Sequence, residues 1–128
     1  MSVKIDQLAV NSDKRGAVFE PLDAGMILDQ RNTHVVISQP GVVRGNHYHL
    51  NGTEIIAVMG PALVRIREDQ QLSDIEVPDQ KVYRFILPPG VAHAIKNNSD
   101  RLNVMAAFNT VVHDPEKPDT IQEILMEG

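Results

Sequence analysis

The chain has 128 residues, 42% apolar and 23% charged, with a net charge of -5; this composition excludes disordered and fibrous classes and argues against a nucleic-acid binder. The length suits one hydrophobic core, so a single domain over residues 1–128 is expected. With no cysteine, disulfides and thiolate ligands are excluded, and a transition-metal site must use imidazole and carboxylate.

Turn signals at Pro40-Gly41, Asn51-Gly52, Gly60-Pro61, Pro88-Pro89-Gly90 and Asn97-Asn98-Ser99 divide the chain into strand-length pieces. In order these are THVVIS (33–38), EIIAVM (54–59), ALVRIRE (62–68), KVYRFIL (81–87), HAIK (93–96) and LNVMAAF (102–108), rich in β-branched residues. In ALVRIRE, Ala62, Val64 and Ile66 share one face while Leu63, Arg65 and Arg67 share the other. The pattern predicts an all-β sandwich or barrel. The acidic, weakly patterned segment 68–80 reads as a long exposed hairpin loop. Thr120-Ile121-Gln122-Glu123 has a capping-box arrangement with Ile124 and Leu125 at helical spacing, which predicts a short C-terminal helix.

The stretch GVVRGNHYHLNGTE (41–54) carries the chemistry. On a strand, His47 and His49 point to one face and Tyr48 to the other. A hairpin at Asn51-Gly52 would return the chain so that Glu54 lies across from the histidines. His93, just after Pro88-Pro89-Gly90, is a fourth ligand that only tertiary structure can bring in. Three histidines and a carboxylate suit zinc, iron, manganese, nickel or copper better than calcium or magnesium. A polar strand carrying two histidines and no metal is the alternative.

The spacing Gly41, His47, His49, Glu54 resembles the first motif of the cupin family, and Pro88, Gly90, His93, Asn97 resembles the second. Two turn glycines depart from that pattern: one falls early, at Gly60, and one is absent around Val82. The resemblance implies a small cupin, or double-stranded β-helix, barrel with His47, His49, Glu54 and His93 lining the interior as ligands of a divalent metal. Arg44 to His49, Leu87 to Asn97, His113 to Thr120 and the opening Asp13 to Gly16 look like the C-terminal cupin domain of CapF-type enzymes of capsular polysaccharide synthesis. Related cupins include dTDP-sugar 3,5-epimerases of the RmlC type and dTDP-sugar 3,4-ketoisomerases.

That kinship implies epimerisation or isomerisation beside the ketone of a nucleotide-linked keto-deoxy sugar, with zinc favoured and iron, manganese or nickel as alternatives. An iron-dependent cupin dioxygenase and a non-enzymatic sugar- or small-molecule-binding cupin are the competing readings. CapF-type proteins carry such a barrel behind a dinucleotide-binding domain, and this chain has no G-x-G-x-x-G fingerprint, so no hydride chemistry is expected.

Arg44, three residues before the histidine pair, is the leading diphosphate-binding residue, with Arg65, Arg67 and Arg84 behind it. A solvated strand face is the competing account of Arg65 and Arg67. Tyr48 reads as core, and His34 and His113 read as surface residues that could also act as bases. A homodimer pairing through its sheets is expected, with the N-terminal strand as the pairing element. No apolar run approaches the roughly eighteen residues of a membrane span and no leader pattern is present, so no membrane contact and a cytoplasmic location are expected.

Overall fold

Residues 2–128 are described by a computed structural model. The chain runs β1 (Lys4–Gln7), β2 (Asn11–Asp13), β3 (Gly16–Val18), α1 (Ala24–Ile27), β4 (Asn32–Ser38), β5 (Val43–His49), β6 (Glu54–Met59), β7 (Ala62–Glu68), β8 (Gln71–Val77), β9 (Val82–Leu87), β10 (Ala92–Asn97), β11 (Asn103–Asn109) and β12 (Thr120–Gln122). Two five-stranded antiparallel sheets face each other, ordered β1-β9-β6-β11-β4 and β12-β5-β10-β7-β8. This all-β cupin barrel is the expected fold class. β2 and β3 form a separate exposed hairpin.

Period-two alternation builds the core. Ile56 and Val58 of β6, Phe85 and Leu87 of β9, and Met105 and Ala107 of β11 meet Ala62, Val64 and Ile66 of β7, Val77 of β8 and Ile95 of β10. Tyr83 packs against the same cluster. On the outer side of the first sheet, Arg84 is only 5% exposed and bonds Asp6, Asp23 and the Pro21 carbonyl. It fastens β1 and the segment around α1 to β9, so it is a structural ion pair and not a diphosphate ligand.

Three expectations are corrected. Residues 71–77 form strand β8, paired with β7 from Glu68↔Gln71 to Ala62↔Val77, where a loop was expected. Its acidic residues Asp74 and Glu76 are exposed, and Asp74 meets Arg65. Asn51-Gly52 joins strands of different sheets, so it turns a barrel corner and makes no hairpin. The predicted C-terminal helix is absent: Thr120–Gln122 extends the second sheet along β5, as Thr120↔His49, Ile121↔Tyr48 and Gln122↔His47. A short isolated helix gains little by itself, whereas here the capping-box residue Glu123 pairs with Arg67 and the strand covers the edge of β5.

Candidate metal and substrate site

Each member of the site reaches it by a different route. His47 and His49 lie on the interior face of β5, Glu54 opens β6 in the opposite sheet, and His93 lies on β10 directly opposite His47. Facing sheets therefore bring the carboxylate to the imidazoles. The four donor atoms lie within 4.8 Å of one another. His93 is 1% exposed and Glu54 6%, while His47 is half-buried and faces the opening.

Glu54 spans two rings: Oε2 lies 3.0 Å from His49 Nε2, and Oε1 lies 2.9 Å from His93 Nε2. Burial by itself would raise its carboxyl, but hydrogen bonds and charge from His49 and His93 outweigh burial and hold it well below the usual range. Burial, reinforced by the charge of His93, pulls His47 down to about 4. At neutral pH, His47 therefore offers a lone pair.

His93 tests whether these residues fit a cation. Its Nδ1 lies 3.1 Å from the Val91 carbonyl, which can only accept, so Nδ1 carries a proton. In the neutral ring the lone pair is then on Nε2, aimed at an ionised oxygen 2.9 Å away. Two acceptors face each other, and a shared proton or a cation between them relieves the conflict. A backbone carbonyl fixing one ring nitrogen so that the other is presented as ligand is the usual support of a metal-bound histidine. The donor set, three imidazoles and one carboxylate, fits a transition metal.

Three members of the cluster, His47, His49 and Glu54, line an open cavity of about 400 Å³. Asn32 and His34 of β4, Asn109 of β11, Val111, Val112, His113 and Asp114 of the segment after β11, and Asp119 and Thr120 also line it. The His34 Nδ1 lies 3.2 Å from Asn32 Oδ1. Asp119 accepts from the Asn51 and Gly52 amides at 3.0 and 2.8 Å and from Asn51 Nδ2 at 2.9 Å, pinning the corner that leads to Glu54. Thr120 Oγ1 sits 3.5 Å from His49 Nδ1.

Among the described residues, no lysine or arginine lines this cavity. Arg44 is not brought to it. Arg44 pairs with Ile95, at the other end of the barrel, and its guanidinium bonds Ser38 Oγ and the Ile37 carbonyl. Arg65 and Arg67 lie on the outer face, bound to Asp74 and Glu123, and Arg67 stands over the outward Tyr48 ring at 5.8 Å. His34 and His113 are exposed, as the sequence reading has them, and both also line the open cavity. Asn32, Asn109 and Asp119 were missed as lining residues, because no local pattern marks a polar residue at a strand end as facing a cavity.

The family described as "Polysaccharide biosynthesis C-terminal domain" matches residues 11–121. The chain is 28% identical over 131 residues to the "Probable low-salt glycan biosynthesis epimerase Agl13" of Haloferax volcanii, covering 91% of this chain and 83% of that protein. It also superposes on the capsular polysaccharide assembling protein CapF of Staphylococcus aureus with a TM-score of 0.67 and 30% identity, covering 91% of this chain. It spans 33% of the CapF chain. The sugar 3,4-ketoisomerase QdtA of Thermoanaerobacterium thermosaccharolyticum, crystallised with TDP, shares the fold at a TM-score of 0.72 and 17% identity, covering 94% of this chain and 88% of that one. Together with the barrel, these likenesses show that the chain belongs to the polysaccharide biosynthesis C-terminal domain family, as an RmlC-like cupin related to CapF.

Proposed function

We propose that this chain is an epimerase or isomerase that moves a proton on a carbon beside the ketone of a nucleotide-linked keto-deoxy sugar in polysaccharide biosynthesis. The observation that carries the reading is the His47, His49, Glu54 and His93 cluster, three of whose members line a cavity that also holds histidines outside the cluster. The epimerase relative in Haloferax volcanii supports it. The cluster would hold a divalent transition metal, with zinc favoured. When bound, such an ion supplies Lewis-acid polarisation of a carbonyl oxygen.

The chain's own side chains supply the rest. His34 is the general base: its Nδ1 donates to Asn32 Oδ1, which leaves the Nε2 lone pair for a proton. As that proton passes to His34 Nε2, the C–H bonding electrons move into an enolate; a proton from water on the other face returns to carbon, and His34 gives its proton up to solvent, which completes epimerisation. Val111 and Val112 narrow the mouth and limit water beside the sugar ring. With three carboxylates and, among the described residues, no lysine or arginine lining the cavity, the sugar enters and the diphosphate stays outside the mouth. A homodimer is also proposed, supported by β4, a sheet edge whose Val35 and Ile37 are exposed.

The test is hydrogen exchange. The chain is incubated in deuterated water with a UDP-linked 4-keto-6-deoxy sugar, and the recovered sugar is weighed by mass spectrometry. Deuterium gained beside the ketone, and lost in His34→Gln, is the expected result. Sugar that binds without gaining deuterium refutes the enzyme reading and leaves a binding protein.

A further inference from the structure

The ladder between β5 and β10 slips by one residue beside the cluster. His47 pairs with His93 and Gly45 with Ala94, so Asn46 faces no residue of β10. This is a β-bulge, and bulges re-aim neighbouring side chains. The consequence here is large. Arg44 opposes Ile95, so an unbroken register would set Asn46 against His93 and His47 against Ala92, and would turn His47 and His49 to the outer face. The extra residue is what puts both imidazoles inside.

The bulge is held in an unusual backbone state. Gly45 has φ +87° and Asn46 φ +57°. A Cβ at Gly45 would lie 2.7 Å from the His93 carbonyl oxygen, so only glycine fits. Asparagine tolerates the left-handed region better than most residues, but it still needs surrounding structure to stay there.

That structure is the segment after β12. Asn46 Oδ1 accepts from the Leu125 and Met126 amides at 2.8 and 3.1 Å, and its Nδ2 donates to the Met126 carbonyl at 2.9 Å. Its own carbonyl accepts from the Glu123 amide at 2.8 Å. Arg65 bonds the Leu125 carbonyl, Arg67 bonds Glu123, and Met126 is buried. A strap thus runs across the outer face of the second sheet and closes on one side chain next to His47.

We infer that Asn46 is a positioning residue: by clasping the Glu123–Met126 strap it locks the bulge that turns His47 and His49 into the cluster. As far as metal binding is concerned, this rests on the cluster being a metal site.

Two substitutions and a control test it. Asn46→Gly keeps the backbone freedom and removes the clasp. Asn46→Asp keeps the acceptor for Leu125 and Met126. Arg84→Met damages the other sheet and measures what general destabilisation alone does. Zinc affinity is read by competition with a chelator, and the ring resonances of His47 are read by NMR in metal-free protein. Asn46→Gly is expected to weaken zinc by about 10–100-fold and to move the His47 resonances. Asn46→Asp should stay within a few-fold of the unmodified chain, and Arg84→Met should lower the melting temperature with affinity unchanged. Unmoved His47 resonances in Asn46→Gly overturn the inference, and so does an equal affinity loss in Arg84→Met. If the unmodified chain binds no zinc, the metal reading fails while the His47 resonances still decide the role of Asn46.

Discussion

Replacing Glu54 by glutamine removes the only anionic donor of the four while keeping the side chain's shape. Changes to residues that merely support metal ligands cost about 10–100-fold in metal affinity. Loss of the anionic donor itself therefore costs at least about 100-fold, or about 2.7 kcal/mol. A ligand that binds only the folded chain stabilises it by RT ln(1 + [L]/Kd), about 2.7 kcal/mol at 100 times Kd. For a chain of this length, that raises Tm by roughly 8–13 °C. At the same zinc concentration, a site 100-fold weaker retains about 0.4 kcal/mol, or roughly 1–2 °C. Differential scanning fluorimetry with and without zinc reads both shifts, and plasma mass spectrometry counts metal per chain. Equal zinc shifts in the unmodified chain and Glu54→Gln refute the reasoning, as does the absence of a shift in the unmodified chain.

Phe85 is fully buried at the centre of the core, so Phe85→Ala should cost about 3–5 kcal/mol in urea unfolding; a loss below about 1 kcal/mol would contradict the packing described. The hydrogen bond from Arg67 holds the Glu123 carboxyl below its ordinary value of 4.5. Because the folded value is lower than the unfolded one, this stability is present above about pH 4.5 and is lost as pH falls through the folded value. The pair is partly exposed, so Glu123→Gln should cost under about 1 kcal/mol near neutrality, and the difference should shrink on acidification; a difference that grows in acid refutes the assignment. His34→Gln should abolish deuterium uptake while leaving zinc stoichiometry at the unmodified value, since His34 lies outside the cluster; loss of bound zinc in that variant would place His34 among the ligands.

Most of the central strands, and the four side chains that cluster, are legible from local sequence pattern. EIIAVM and ALVRIRE became β6 and β7 at their predicted limits, because alternation of apolar residues is a local property that one buried face enforces. The spacing of His47, His49, Glu54 and His93, with its likeness to cupin motifs, picked out four side chains that the structure brings together. The remainder depends on contacts between residues far apart in the chain. Glu54 arrives from the opposite sheet and not from a hairpin, because Asn51-Gly52 turns a barrel corner. Thr120–Gln122 is a strand because the edge of β5 offers it backbone partners that a short helix lacks. Arg44, near the histidines in sequence, is exposed at the far end of the barrel and bonded to Ser38, and His34, remote in sequence, lines the cavity. The one-residue slip at Asn46 explains the inward histidines: strand parity is counted along a ladder, and only the partner strand and the clasping strap determine where that count is broken.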